Sequence, residues 1–170
     1  VVINDILDFS KIESGRLDLE NICFNLATLL KDIEQEKRFS ADEKGLSFTC
    51  RTNFCADYVV GDPIRIRQII DNLVGNAIKF TGEGNVDIAV SLVQENSVYQ
   101  LSCTISDTGI GIPADKLELL FSPFLQMETS TTRRFGGTGL GLAISKQLLT
   151  MMNGTIEVAS EKNIGSQFTF

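Results

Sequence analysis

Two glycine-punctuated blocks, Asp107-Thr-Gly-Ile-Gly-Ile-Pro113 and Gly136-Gly-Thr-Gly-Leu-Gly-Leu142, follow a helical stretch that carries Asn72, Asn76 and Lys79. Glycines at this density let a backbone approach a ligand closely, and free N–H groups at a helix start suit an anion. These residue types suit a phosphate-bearing ligand, most simply a nucleotide. An asparagine carbonyl is a hard oxygen donor fit for Mg2+, which keeps few protein ligands and shares its remaining positions with water and phosphate oxygens. Lys79 adds a point charge for phosphate. Asp107, at a strand end directly before Thr108, Gly109, Ile110 and Gly111, offers a carboxylate that accepts hydrogen bonds from an exocyclic amine, which favours adenine. Taken singly, the asparagines fit a solvated polar face and Asp107 fits an Asx-turn; the combination is what points to a nucleotide.

Between Phe121-Ser-Pro-Phe124 and Gly136 lies a polar, Ser/Thr-rich stretch, residues 126–134, with the composition of a mobile lid. Arg133 or Arg134 at its end could meet a terminal phosphate, because guanidinium donors match phosphate oxygens. Two other phosphate motifs fail. Gly109-x-Gly-x-x-Ala114 has the dinucleotide spacing, but a hairpin precedes it and Pro113 interrupts it, and no Gly-Lys-Ser/Thr of a Walker loop occurs.

The elements that must hold these residues are readable from periodicity. Residues 1–14 carry Val2, Ile3, Ile6, Leu7 and Phe9 at near-helical spacing, closed by Gly15. Residues 17–24 read as a strand, and 26–43 as a helix with Leu29, Leu30, Ile33 and Phe39 as its apolar positions, ended by Gly45. A strand is expected over 46–51. Asp62-Pro63 then opens the best-defined helix with an N-cap and a proline at its first position. Its stripe is Ile66, Ile69, Ile70, Leu73, Val74 and Ala77, opposite Gln68, Asn72 and Asn76. Val86, Ile88, Val90 and Leu92, then Tyr99, Leu101, Cys103 and Ile105, alternate as an antiparallel hairpin around a turn at 94–97. A last helix is expected from near Gly139 to Met152, with Leu140, Ile144, Leu148 and Met151 inward. Asn153-Gly154 turns the chain into final strands that place Phe168 and Phe170 on one face. The fold class is therefore α+β: a two-layer sandwich with a mixed, largely antiparallel sheet and helices on one face.

With 170 residues and 43% hydrophobic content, the chain can bury one full core. A formal net charge of -7 argues against a nucleic-acid partner, which requires a basic surface. No apolar run is long enough to cross a membrane and no signal segment opens the sequence, so a cytoplasmic location without membrane contact is expected. Cys23, Cys50, Cys55 and Cys103 lack metal-ligand spacing, no histidine completes a zinc site, and reduced thiols are expected, with Cys103 a small core residue. The sequence opens in mid-helix and stops in mid-strand, as an excised part of a longer protein would.

In order, Asp71-Asn-Leu-Val-Gly-Asn-Ala-Ile-Lys-Phe80, the Asp107 block, Phe121-Ser-Pro-Phe124 and the Gly136 block resemble the N, G1, F and G2 boxes of sensor histidine kinases. Gly165-Ser-Gln-Phe168 resembles the closing box, and residues 3–17 resemble the end of the second dimerisation helix. The resemblance implies a Bergerat-type ATP-binding fold over 17–170, with 1–16 the end of the dimerisation and phosphotransfer helix. It implies Mg2+ on Asn76, with Asn72 supporting, Lys79 near the phosphates, Phe80 beside the nucleotide and Asp107 on the adenine amine beside Gly109 and Gly111. Ser166 would help through a water. Gly137, Thr138, Gly139 and Gly141 would place backbone donors by the phosphates, while Leu140 and Leu142 anchor the lid. Arg134 is the candidate catalytic cation.

The family chemistry is transfer of the γ-phosphoryl of Mg·ATP to a histidine on a dimerisation helix, for relay to the aspartate of a response-regulator receiver domain. The implied partners are the protein's own phosphoacceptor domain, a second subunit and that receiver. Ser122 departs from the acidic residue often found before Pro-Phe. The phosphoacceptor histidine is absent from these residues, which would make the chain the donor half. Rival readings are an ATPase or serine kinase of the same fold and a pseudokinase docking module. The hydrolytic relatives carry a glutamate four residues before the metal asparagine, where this chain has Asn72, and intact Asn76, Asp107 and glycines oppose the docking module.

Overall fold

The computed structural model describes residues 2–96, 98–125 and 138–170. Five strands form the main sheet in the order β2 (Ser47–Phe54), β4 (Asn85–Glu95), β5 (Val98–Asp107), β7 (Gly165–Thr169) and β6 (Glu157–Glu161). Only the β2–β4 pair is parallel; β4–β5, β5–β7 and β6–β7 are antiparallel. The expected mixed, largely antiparallel α+β architecture is what the chain adopts. Val86, Ile88, Val90, Leu92, Cys103, Ile105 and Phe168 are all buried, so alternate residues of three strands line one face. Phe170 packs beside them, as its spacing from Phe168 predicts.

Helices α2 (Leu26–Glu43), α3 (Pro63–Phe80) and α5 (Gly141–Met151) join that face in one hydrophobic cluster. α2 has the expected bounds, with Asn25 as its N-cap accepting the Thr28 N–H at 2.7 Å. Its buried residues are Leu26, Leu30, Ile33 and Ala41, with Leu29 packed against the cluster; Phe39 is 66% exposed, contrary to its expected inward role. Phe39 falls outside the arc that Leu26, Leu30 and Ile33 define. Asp62 opens α3 as expected, accepting the Arg65 N–H at 3.0 Å with one oxygen and the Glu20 N–H at 3.0 Å with the other.

α1 (Val2–Glu13) ends where predicted, with Gly15 at φ +64° and Arg16 N–H donating to Lys11 O at 2.8 Å. Ile3, Ile6 and Leu7 are exposed, while Phe9 is buried and Ile12 partly so. The strand expected over 17–24 is confined to β1 (Ile22–Asn25), which pairs not with the main sheet but with β3 (Tyr58–Gly61), a strand sequence periodicity did not indicate. α5 begins at Gly141 rather than near Gly139, because Gly139 sits at φ +69°. Asn153, at φ +58°, closes α5, and Gly154 N–H reaches Leu149 O at 2.7 Å. A short helix, α4 (Ala114–Leu117), follows Pro113. Cys103 lies fully buried, and burial, with a smaller contribution from Cys50, pushes its thiol up to about 12. Among the described residues no helix is long and apolar enough to cross a membrane.

Candidate functional site

The site begins at the C-terminal half of α3, whose apolar face is fixed in the core by Ile69, Ile70, Leu73, Val74, Ala77 and Ile78. That anchoring turns Asn72, Asn76, Lys79 and Phe80 to a half-buried flank. Asn72 is committed to structure: its Nδ2 donates to Ser145 Oγ of α5 at 2.9 Å, and its Oδ1 accepts from Asn76 Nδ2 at 3.5 Å. A Cβ on Gly141 would lie 2.2 Å from Asn72 Oδ1, so a side chain at the first residue of α5 would displace the Asn72 amide. With Asn76 Nδ2 directed to Asn72, its carbonyl oxygen is the atom left for a ligand. A neutral oxygen donor of this kind fits Mg2+.

The end of α3 is closed by tertiary contacts. Thr81 N–H and Oγ1–H both donate to Ala77 O, at 3.1 and 2.7 Å. Lys44 Nζ donates to the carbonyls of Ile78, Lys79 and Thr81 at 2.6, 3.1 and 3.2 Å. Phe80 O accepts Ile110 N–H at 3.3 Å. Each carbonyl from 77 to 81 thus has a donor, which answers the deficit every helix end carries. The Lys79 ammonium lies 4.9 Å from the Phe80 ring centroid, and burial pushes its pKa down. A phosphate beside it would favour the charged form.

Asp107 closes β5. Its Oδ1 accepts Gly109 N–H at 2.8 Å, and Ser166 is its register partner across the β5–β7 ladder. Burial outweighs the opposing effect of the backbone N–H groups of Gly109 and Ser166 and holds the carboxyl above the ordinary aspartate value. The glycines beside it serve the protein's own packing. A Cβ on Gly109 would stand 2.6 Å from Phe80 O; on Gly111, at φ +61°, it would meet Glu161 O at 1.9 Å. The 107–113 loop is clamped from the other side by the β6–β7 hairpin: Asn163 N–H donates to Ile110 O at 2.7 Å and Ile112 N–H to Ser160 Oγ at 2.8 Å.

The second glycine block is described from Thr138 onward; Gly136, Gly137, Arg133 and Arg134 lie outside the described residues. Thr138 Oγ1 donates to Asp5 Oδ2 of α1 at 3.2 Å and accepts Leu140 N–H at 3.2 Å. Leu140 is fully buried and Leu142 packs against the core, which pins the start of α5 beneath this turn. Phe124 N–H donates to Gly139 O at 3.1 Å, and its ring meets Phe9 of α1 edge-on at 5.8 Å. Phe121 packs against the core with Lys146 over its ring at 5.2 Å. α1 is further tied to α3 by Asp8, whose Oδ2 accepts from Arg65 and Gln68, each at 2.9 Å.

The structure therefore brings Asn72, Asn76 and the 138–142 turn onto one flank of α3 and sets Asp107, Gly109, Gly111 and Ser166 beyond its C-terminus. Lys79 and Phe80 lie between. Sequence reasoning missed Ser145, Ser160 and Lys44, because each is an isolated polar residue whose role exists only once distant elements meet.

Residues 61–170 match the family described as Histidine kinase-, DNA gyrase B-, and HSP90-like ATPase. The chain belongs to this family. Among its relatives, the signal transduction histidine-protein kinase BarA of Escherichia coli (strain K12) is 47% identical over 99% of the chain, which spans 19% of that protein. The chain thus covers about a fifth of the length of the curated relatives it matches. In structure it is similar to full-length ShkA in complex with AMPPNP, with a TM-score of 0.82 and 29% identity over 99% of this chain and 34% of that one. It is also similar to the nucleotide-free catalytic domain of the histidine kinase ThkA, with a TM-score of 0.68 and 29% identity over 89% of this chain and 93% of that one. Within the family, this chain is thus a nucleotide-binding catalytic domain like those of histidine kinases.

Proposed function

We propose that the chain binds Mg·ATP between α3, the 107–113 loop and the 138–142 turn. From there it would donate the γ-phosphoryl to a histidine on a dimerisation helix, for relay to a receiver-domain aspartate. In this reading residues 1–16 end that helix and 17–170 form the catalytic domain, placed in the cytoplasm and working within a homodimer. The observation that carries the reading is Asp107: a half-buried carboxylate at a strand end, with a raised pKa and the Gly109 backbone N–H fixing its orientation. Such a group gains most from a ligand donor, and the exocyclic amine of adenine is one.

Bound on Asn76, Mg2+ would neutralise charge on the phosphate oxygens. Asn72, held by Ser145, keeps Asn76 in place; Lys79 adds positive charge; and the 138–142 turn brings backbone donors toward the phosphates. The chain thus contributes positioning and charge compensation, the main protein contributions in phosphoryl transfer. Asn72, in the slot where hydrolytic relatives carry glutamate, gives water no base, which favours transfer over hydrolysis.

Calorimetric titration with Mg·ATP tests the site. Wild type is expected to release heat on a one-to-one isotherm, with Asn76→Ala and Asp107→Ala each weakening it. Unchanged affinity in both variants refutes the assignment. A chain extended upstream to include the acceptor helix should label itself from γ-labelled ATP with acid-labile, base-stable phosphate; acid-stable label would mark a serine or threonine kinase.

A further inference from the structure

Ser160, in β6, lies outside every motif discussed above, yet its hydroxyl joins the elements around Asp107. It accepts Ile112 N–H at 2.8 Å, donates to Gly165 O at 2.8 Å, and lies 3.0 Å from Ser166 Oγ. Ile112 belongs to the loop that begins at Asp107, whereas Gly165 and Ser166 open β7. The joint has little slack. A Cβ on Gly165, at φ +140°, would stand 1.9 Å from Asp107 O, and one on Gly111 would stand 1.9 Å from Glu161 O. Asp107 and Ser166 are register partners in the β5–β7 ladder. One hydroxyl therefore spans the gap between the loop after Asp107 and the strand that pairs with Asp107.

We infer that Ser160 is a positioning residue for base recognition: it holds the Asp107 carboxylate and the Ser166 hydroxyl in register, so that the site prefers a base bearing an exocyclic amine donor over one bearing a carbonyl. The inference rests on the reading that Asp107 receives the adenine amine. A hydroxyl is suited to this place because it accepts from the backbone of one element while donating to the backbone of another. An alanine removes both bonds and leaves Ile112 N–H and Gly165 O partly buried without that partner.

The test measures the dissociation constants of Mg·ATP and Mg·GTP for wild type, Ser160→Ala, Ser160→Cys, Ser160→Thr and Asp107→Ala, with melting temperatures alongside. Ser160→Ala is expected to weaken ATP by about tenfold and to shrink the ATP-over-GTP preference by about fivefold. Ser160→Cys, close in size but a weak acceptor, should follow alanine even if alanine proves too unstable to titrate, while Ser160→Thr restores the preference. A preference that stays at the wild-type ratio in alanine and cysteine variants, whatever the melting temperature does, overturns the inference. If Asp107→Ala also leaves ATP binding unchanged, the base-site reading itself fails; if Asp107→Ala abolishes binding while Ser160 variants keep the ratio, only the role of Ser160 falls.

Discussion

Replacing Lys44 with methionine removes an ammonium that stands against the C-terminus of α3, with Nζ 2.6, 3.1 and 3.2 Å from the carbonyls of Ile78, Lys79 and Thr81. A hydrogen bond to a charged group is worth roughly 1.5–3 kcal/mol in favourable settings. Residue 44 is exposed, so water competes for the carbonyls and screening reduces the gain. A cation at a helix C-terminus adds roughly 0.3–1 kcal/mol. A net loss of about 1.5 kcal/mol follows, because the freed carbonyls can turn to water instead of remaining orphaned. For a domain of this size that lowers the melting temperature by about 3–6 °C. Lys44→Arg should recover only part of the loss, since a planar fork cannot converge on three carbonyls as an ammonium does. Differential scanning calorimetry at low and high salt measures both variants, and the wild-type advantage should narrow with salt. A shift below about 1 °C for Lys44→Met would mean that the cap contributes nothing, and the account of how the end of α3 is held would be wrong.

Glycines 75 and 141 should respond in opposite directions to alanine. Nothing lies within 4 Å of a Cβ at Gly75, so Gly75→Ala should stabilise α3 by about 0.5–1 kcal/mol in urea melts. Gly141→Ala meets Asn72 Oδ1 at 2.2 Å and should cost about 1–3 kcal/mol while also weakening ATP binding. Phe39→Ser, at a 66% exposed position, should leave stability within about 0.5 kcal/mol of wild type in the same melts. For Asp107 the sign is set by its raised pKa. Stability gained from protonation is present at low pH and lost as pH rises through that value, whereas an amine donor favours the ionised form. Affinity for ADP, followed by fluorescence titration, should therefore hold near neutrality and fall as pH descends toward the raised carboxyl range. Asp107→Asn should flatten that fall.

Much of this arrangement could be read before any coordinates because its signals are local. α2 and α3 announce themselves by a stripe at the helical period, α3 also by its Asp62 N-cap, and in the structure both Asn25 and Asp62 make their side-chain bonds to the third residue on. The β4–β5 hairpin carries a period of two on a single buried face, which leaves no other register. What escaped has a non-local cause. β3 is four residues long with one buried side chain, Val59, too short to establish an alternation. Ile3, Ile6 and Leu7 show the helical period, but among the described residues no element covers that face. The candidate site residues stood out by type, since Asn76 and Asp107 sit in dense glycine and amide patterns. Ser145 and Ser160 did not, because a hydroxyl amid apolar or mixed neighbours acquires meaning only from the loop or helix folded against it.

The amide oxygen of Asn72 occupies the volume that any larger residue at 141 would claim. The two positions are consequently not free to vary one at a time. Laboratory evolution toward a different side chain at the entrance of α5 should proceed through variants already shortened at 72. Any gain of bulk there would forfeit the tether to Ser145 that keeps the neighbouring asparagine in place.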